Sequence, residues 1–310
     1  MGRITRRRRL YHEALNPNFG FFYTVKKTLR KASTKYQKIE LVETDEFGTV
    51  LLLDDITQVA EKNDFMYHEP MVHPVMCSHP KPQSVLIVGG GDGGIIREVL
   101  KYPTVKRVEL AELDDGVVRF ARKYLGGVHG NCFDDPRVGI NITDGRKYTE
   151  EHPGEFDVVI MDMTDPFGPS VMLYTKEFYR LARRAMRDRA GIFAMHSESP
   201  VARPAAFACI QKTLGSVFKH VNPHYMYIQM YAVLWSITAA SDGVDIAGIK
   251  PAAVDKKLAK YGIKGLKMYN GATQQSMLTP YPYISEILSQ PARVITDTKP
   301  EFPDDFLRRN

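Results

Sequence analysis

Val85-Leu-Ile-Val-Gly89-Gly90-Gly91-Asp92-Gly93-Gly94 decides how this chain is read. An apolar run reads as a buried strand, and the glycines after it let the backbone turn sharply into a helix and approach a ligand closely. Such loops often cradle phosphates, because helix N-terminal amides attract anions. Asp92 opposes that use. A carboxylate there repels a phosphate or a carboxylate and attracts an amine. The loop therefore suits a nucleoside ligand that ends in a cation.

Outward from this stretch, apolar strands and helices alternate. The pattern predicts strands over 84–88, 107–112, 138–143, 156–161 and 190–194. It predicts helices over 93–101, 115–124, 176–187 and 203–218. Nearly all-apolar strands separated by helices imply an α/β fold, with a parallel sheet covered on both faces. Further strands are expected in 225–231 and 234–240, and a helix near 252–261. The first third reads differently. Residues 38–44 mostly alternate polar with apolar, and a turn at Asp45-Glu-Phe-Gly48 leads into Val50-Leu-Leu-Leu53, as in a small antiparallel β-domain. The expected division is 1–75 for the N-terminal tail and β-domain and 76–310 for the larger unit. Residues 64–74 look helical at the start, with Pro70 and Pro74 interrupting.

Composition excludes several classes. The chain has 310 residues, 44% apolar and 25% charged, which is ordinary for a soluble globular protein. No apolar run is long enough to span a bilayer, and the first residues lack a secretory signal. Cys77, Cys132 and Cys209 are odd in number and far apart, as expected of free thiols in a reducing compartment. The net charge of +6 draws on Arg6–Arg9 and Arg308-Arg309. These read as solvated termini, since no nucleic-acid fold signature accompanies them. A positive exterior does not attract a polycation, so a cationic substrate must be drawn by local carboxylates.

Those carboxylates cluster at strand ends, where ligands of such sheets bind. Asp92 follows the first strand and Glu112 ends the second. Asp144 follows the third, and Asp162 with Asp165 follows the fourth. Gly89–Gly94 contains G-x-G-x-x-G, and Glu112 lies at the spacing of an acid that accepts ribose hydroxyls. That pattern fits NAD or an S-adenosyl ligand, and Asp92 argues against a pyrophosphate. In Asp162-Met-Thr-Asp165-Pro-Phe-Gly-Pro169 two carboxylates can converge on one point, one removing a proton from an amine while the other holds its charge. The same residues also suit a plain turn. Asp144 can accept the adenine amino group or cap a helix. Tyr67 and His68 can wall a polar pocket. A metal at His68, Glu69 and His73 is not expected, because the spacing is not H-E-x-x-H and Pro70 should break the helix. Ser197-Glu198-Ser199 lacks a nucleophile elbow. Glu198, after the fifth strand, is placed to receive a distal amine.

Taken together, these residues resemble the polyamine aminopropyltransferase family, of which spermidine synthase is the best-known member. The likeness runs from about Tyr11 to Tyr283. It is densest at Gln37, Leu53-Asp-Asp-Ile-Thr-Gln58, Asp64-Phe-Met-Tyr-His-Glu69 and the glycine loop, and continues through Glu112-Leu-Asp114, Asp134-Asp-Pro-Arg137, Asp144-Gly145 and 162–169. The resemblance implies a small N-terminal β-domain followed by a Rossmann-like, methyltransferase-type sheet. It implies transfer of an aminopropyl group from decarboxylated S-adenosylmethionine, a co-substrate, to an amine, with no metal. By position it makes Asp162 the proton acceptor and Asp165 the holder of the acceptor amine. It sets Asp92 and His68 against the aminopropyl and polyamine chain. Gln37, Glu112, Asp144, Gly145 and Pro169 would line the methylthioadenosine part, and Tyr67 and Gln58 the acceptor channel. A cytoplasmic homodimer or homotetramer is implied, with no nucleic-acid or membrane partner.

Two departures bear on the acceptor. Met230 stands where many spermidine synthases have tyrosine, with Tyr231 one place on, and Met163-Thr164 replaces two small or hydroxyl residues. Putrescine is the first expectation, and cadaverine, agmatine or a longer polyamine are the alternatives. A methyltransferase on the same fold, an NAD-linked oxidoreductase and a non-catalytic polyamine binder are the competing readings. The last would not need Asp162.

Overall fold

A computed structural model describes residues 9–166 and 168–303, with nothing described of the Gly168 and Pro169 side chains. Arg6–Arg8 and Arg308-Arg309 lie outside the described residues. The N-terminal part is antiparallel. Strands β1 (Arg9–Asn16) and β2 (Phe19–Val25) form a hairpin. Strands β3 (Lys27–Ser33), β4 (Lys38–Thr44), β5 (Gly48–Leu53) and β6 (Ile56–Ala60) form a four-stranded meander. The expected hairpin at residues 45–48 joins β4 to β5. Four consecutive residues of β4, Ile39–Val42 by number, are buried, so this strand is more enclosed than its alternation predicts.

Helix α1 (Phe65–Ser78) follows, and it corrects one expectation. It runs unbroken through Pro70 and Pro74. Each interior proline costs a helix ~3 kcal/mol. That cost is offset by burial, since every residue from Tyr67 to Ser78 is buried and a large apolar side chain gains ~1.5–3 kcal/mol on leaving water. The helix lies against β10–β13, defined below, so tertiary packing overrides local preference.

The large sheet contains β7 (Ser84–Gly89), β8 (Arg107–Glu112), β9 (Val138–Ile142), β10 (Val158–Asp162), β11 (Ile192–His196), β12 (His220–Ile228) and β13 (Val233–Ser241). Their spatial order is β12-β13-β11-β10-β7-β8-β9. Strands β7 to β11 run parallel, whereas β13 is antiparallel to β11 and to β12. The sheet is thus mixed at one edge. The intervening helices are α2 (Gly94–Leu100), α3 (Asp115–Tyr124), α4 (Gly126–His129), α5 (Gly145–Glu151), α6 (Lys176–Ala185) and α7 (Pro204–Gly215). Helices α8 (Pro251–Lys260), α9 (Gly271–Met277) and α10 (Pro282–Ser289) close the chain. Every residue of β7 and β11 is buried, as their apolar sequences require.

The order carries the functional consequence. From β7 the chain steps outward to β8 and β9, then returns to β10 on the other side of β7. The C-terminal ends of β7 and β10 therefore flank a topological switch point, where open α/β sheets form a crevice. Gly89 and Asp162 are partners in that register. No helix among the described residues is long and apolar enough to cross a membrane.

Candidate active site

The glycine loop is shaped by the side chains around it. Gly90 N donates to the Asp162 carbonyl at 2.8 Å, tying the loop to β10. Gly90 has φ +74°, and a Cβ there would lie 3.2 Å from Asp162 Oδ2. A side chain would strain the turn and displace the acid. Gly94 meets the His68 imidazole so closely that an added Cβ would strike the ring.

Asp162 ends β10 and is half-buried at the cleft wall. Tyr67, brought across by α1, donates its hydroxyl to Asp162 Oδ1 at 2.6 Å. Loss of water and the charge of Asp92 push the Asp162 carboxyl up to about 6, against the pull of Tyr67 and His68. Asp92 Oδ1 accepts from Gly94 N at 2.7 Å and lies 3.8 Å from His68 Nε2. The other ring nitrogen of His68 is 3.2 Å from Asp64 Oδ2, which also holds Arg97 Nη1 at 2.8 Å. Burial alone would lower the His68 pKa. The hydrogen bond to Asp64 and the charges of Asp92 and Asp64 outweigh it, and the imidazole is raised. His68 thus stands between two acids, Asp64 and Asp92.

On the β8 side, burial drives Glu112 up to about 7, although Glu112 Oε1 accepts from Asp114 N at 2.8 Å. Asp114 Oδ2 in turn receives Thr34 Oγ1 at 2.7 Å and Gln37 Nε2 at 3.0 Å, which fixes Gln37 at the cleft. Asp144 is exposed and caps α5, accepting from Arg146 N at 2.8 Å and Lys147 N at 3.2 Å. It lines a second basin that meets the main cleft at Tyr36, Leu113 and Asp114. Gly145 packs on Val88 and lines neither cavity. Pro169 falls in a 3₁₀ turn, its side chain outside the described residues.

The main cleft encloses about 1050 Å³ and brings together Gln37, Gln58, Tyr67, His68, Asp92, Glu112, Asp162 and Asp165. These residues come from the meander, α1 and three segments at the sheet's C-terminal edge. The spermine/spermidine synthase domain model matches residues 64–246, and the spermidine synthase tetramerisation domain model matches 10–61. The chain belongs to the spermine/spermidine synthase family. It is 39% identical to a polyamine aminopropyltransferase of Nitrosomonas europaea, over 92% of this chain and 87% of that one. It is 36% identical to one of Bacillus subtilis, over 83% and 92%. Spermidine synthase from Thermotoga maritima superposes with a TM-score of 0.84 at 35% identity, covering 91% of this chain and 95% of the other. A spermidine synthase in complex with the transition state analogue AdoDATO gives 0.83 at 33% identity, with the same coverage.

In this member of the family the far wall of the cleft carries Arg203, which the sequence does not single out, beside residues that it does. Met230 and Tyr231 both line it, and the Tyr231 hydroxyl donates to the Gln58 carbonyl at 3.1 Å. The Tyr231 ring meets Tyr67 edge-on, with centroids 6.3 Å apart. Asp165 Oδ2 is already engaged by Arg203 Nη1 at 2.9 Å. Arg203 also faces Glu198, which is fully buried and does not itself line the cleft. Asp165, His196 and Glu198 bring one potential ligand atom each within 4.8 Å of one another, but a guanidinium occupies their company. In sequence Arg203 is an unremarked arginine before Pro204 at a helix start, with no motif to single it out. Glu69 and His73, considered above for a metal, serve the fold. Glu69 accepts from the backbone of Lys267, Met268 and Tyr269, and His73 bridges Glu98 and Tyr102 at 2.9 Å each.

Proposed function

We propose that this protein transfers the aminopropyl group of decarboxylated S-adenosylmethionine to an amine, putrescine giving spermidine, with release of methylthioadenosine. The observation that carries the reading is Asp162 at the switch point, bonded to Tyr67 and raised to about 6. An alkylamine has a pKa near that of lysine, ~10.4, and must lose a proton before its lone pair can attack. A carboxyl near its ordinary value is a poor acceptor for that proton. Raising it by about two units narrows the mismatch by ~3 kcal/mol while leaving it ionised at neutral pH. The nitrogen then attacks the carbon next to the sulfonium, and the leaving group is a neutral thioether. That departure calls for no metal and no cofactor beyond the co-substrate. Alignment of nitrogen, carbon and sulfur supplies up to ~7–11 kcal/mol in favourable cases.

In this reading Asp162 takes the proton, and Asp165 helps hold the acceptor amine. Asp92, with His68, meets the donor's aminopropyl ammonium, and ordinary S-adenosylmethionine would bring a carboxylate against Asp92. Gln37 and Glu112 take the ribose side of methylthioadenosine. Asp144 and Pro169 take its base, and the adjoining basin that Asp144 lines supports that end of the assignment, whereas Gly145, which lines neither cavity, lies behind against Val88. Tyr67 and Gln58 shape the acceptor channel. We place the protein in the cytoplasm as a homodimer or homotetramer with small-molecule partners only. The match of 10–61 to a tetramerisation domain, and exposed Leu10, Phe19 and Phe22 on the hairpin, support the oligomer.

The test offers decarboxylated and ordinary S-adenosylmethionine with a panel of diamines and triamines and measures methylthioadenosine. Release only with the decarboxylated donor and an amine is expected. Methyl transfer from the ordinary donor, or no release with any amine, would overturn the reading.

A further inference from the structure

After α10 the chain returns to the cleft as a strap, residues 290–303. Its root is deep. Ile295 is fully buried, its carbonyl accepts from Lys176 N at 2.8 Å, and its N–H donates to Thr213 Oγ1 at 3.0 Å. Two residues on, Asp297 closes a clasp. Its carboxylate accepts from Arg146 Nη1 at 3.0 Å, Arg146 Nη2 at 2.5 Å and Thr175 Oγ1 at 2.6 Å. A guanidinium met by both carboxylate oxygens fixes direction as well as distance. The same Arg146 Nη1 donates to the Met172 carbonyl at 2.7 Å. Beyond the clasp, Pro300, Glu301, Phe302 and Pro303 line the main cleft.

The contacts of the strap converge on Tyr174. The Phe302 ring stands edge-on to it with centroids 6.0 Å apart, and the clasp grips Met172 and Thr175 on either side. Tyr174 is itself fully buried, and its hydroxyl donates to the Thr164 carbonyl at 3.0 Å. His196 Nε2 lies 2.7 Å from that hydroxyl and 2.8 Å from the Met163 carbonyl. Met163 and Thr164 are the two links between Asp162 and Asp165, so whatever holds their carbonyls sets how the two carboxylates stand. Phe302 and Met163 also pack on the same apolar cluster. We propose that the C-terminal strap positions the two acids for transfer, with Phe302 and Asp297 acting through Tyr174 on the backbone between Asp162 and Asp165. Both are positioning residues. The inference rests on the aminopropyl-transfer reading, in which one acid takes the proton and the other holds the amine. Displacing reacting groups by about 1 Å can cost up to ~10²-fold in rate.

The test uses the full chain with saturating decarboxylated S-adenosylmethionine and a diamine, and reads methylthioadenosine release. Phe302→Ala should lower kcat/KM for the amine about ten-fold. Its affinity for methylthioadenosine should stay within about two-fold of wild type, because the acids and not the nucleoside contacts are disturbed. Asp297→Ala should give the same split, and Phe302→Tyr, which keeps the ring, should keep activity. A general loss of structure would not spare the nucleoside in this way. The decisive comparison is a double-variant cycle with Tyr174→Phe, which deletes the hydroxyl that holds Thr164. In that background Phe302→Ala should cost little more, since the two act on one path. Wild-type kcat/KM in Phe302→Ala, a loss that falls on methylthioadenosine affinity instead, or losses that multiply in the double variant each overturn the proposal. If Tyr174→Phe fails to fold, the split between kcat/KM and methylthioadenosine affinity in the two alanine variants decides it, since the deep root at Ile295 remains in both. Absence of methylthioadenosine from the wild-type chain with every amine would instead remove the underlying reading, so the two failures are distinct.

Discussion

Asp162→Asn separates the cost of the site from its use. The amide keeps the shape of the carboxylate, and its carbonyl can still accept from Tyr67, now 2.6 Å from Oδ1. What is lost is the proton acceptor, and positioned general bases contribute ~10²- to 10⁴-fold. What is gained is stability. In the folded protein Asp162 titrates at about 6, against an ordinary 3.8. The native state therefore binds this proton more tightly than the unfolded chain does. Below the unfolded value the group costs nothing. As pH rises from 3.8 to about 6 ionisation destabilises the fold progressively, and above that the full cost applies. Two units correspond to ~3 kcal/mol at most. Because the carboxylate faces an open cleft, solvent screens part of this, and a gain of about 1–2 kcal/mol is expected. Urea denaturation at pH 7.5 and pH 4, with methylthioadenosine release in parallel, checks both halves. The expected variant is inactive, more stable at pH 7.5, and matched to wild type at pH 4. Near-wild-type turnover refutes the proton-acceptor role. A variant less stable than wild type at pH 7.5 refutes the electrostatic account of the raised carboxyl.

Tyr67→Phe removes a hydrogen bond that holds the Asp162 carboxyl down, so the acidic limb of the kcat/KM profile should move from about 6 to higher pH by ~1 unit. Asp92→Asn removes a charge that holds it up, so the same limb should move to lower pH. This variant should also bind ordinary S-adenosylmethionine at least about ten-fold more tightly relative to the decarboxylated donor, read by competition. Glu112 at about 7 is partly protonated in the free protein at neutral pH. If its carboxylate accepts ribose hydroxyls, methylthioadenosine binding at pH 7 releases a fraction of a proton, and its affinity rises between pH 6 and pH 8. Calorimetry in buffers of differing ionisation heat measures this, and heats independent of buffer would remove Glu112 from the nucleoside contact.

The features legible in sequence were those with a period or a sharp local signal. Strand β8 and helix α3 fall where apolar periodicity puts them, and the structure adds Asp114 as the cap of α3. The Gly89–Gly94 turn is legible because few sequences other than a ligand-approaching loop use so many glycines after an apolar strand. Helix α1 was obscured because proline rules describe a helix in water, whereas twelve of its fourteen residues are buried by contacts distant in sequence. The antiparallel β12 and β13 read as strands, but strand direction has no local signature. Asp144 shows why a motif residue needs a structure. Its capping bonds and its place on the adjoining basin are both visible, and neither could be separated from the other in sequence. Arg203 was invisible for a different reason. Its meaning lies in three contacts to Leu15, Asp165 and Glu198, at separations of 188, 38 and 5 residues.

The same carboxylates explain why a protein of net charge +6 can attract a polycation at all. At physiological ionic strength surface charges are screened over ~8 Å, so the basic exterior is weakly felt inside a cleft. There Asp92, Asp162 and Glu112 stand close together, two of them raised chiefly by loss of water. An empty cleft of this kind is electrostatically unfavourable, and a ligand carrying a sulfonium and an ammonium relieves it. If the donor's cation sits at Asp92, as proposed above, it removes one cause of the raised Asp162 carboxyl and so ties donor binding to ionisation of that group. A surface acid, already ionised and hydrated, could not couple the two events.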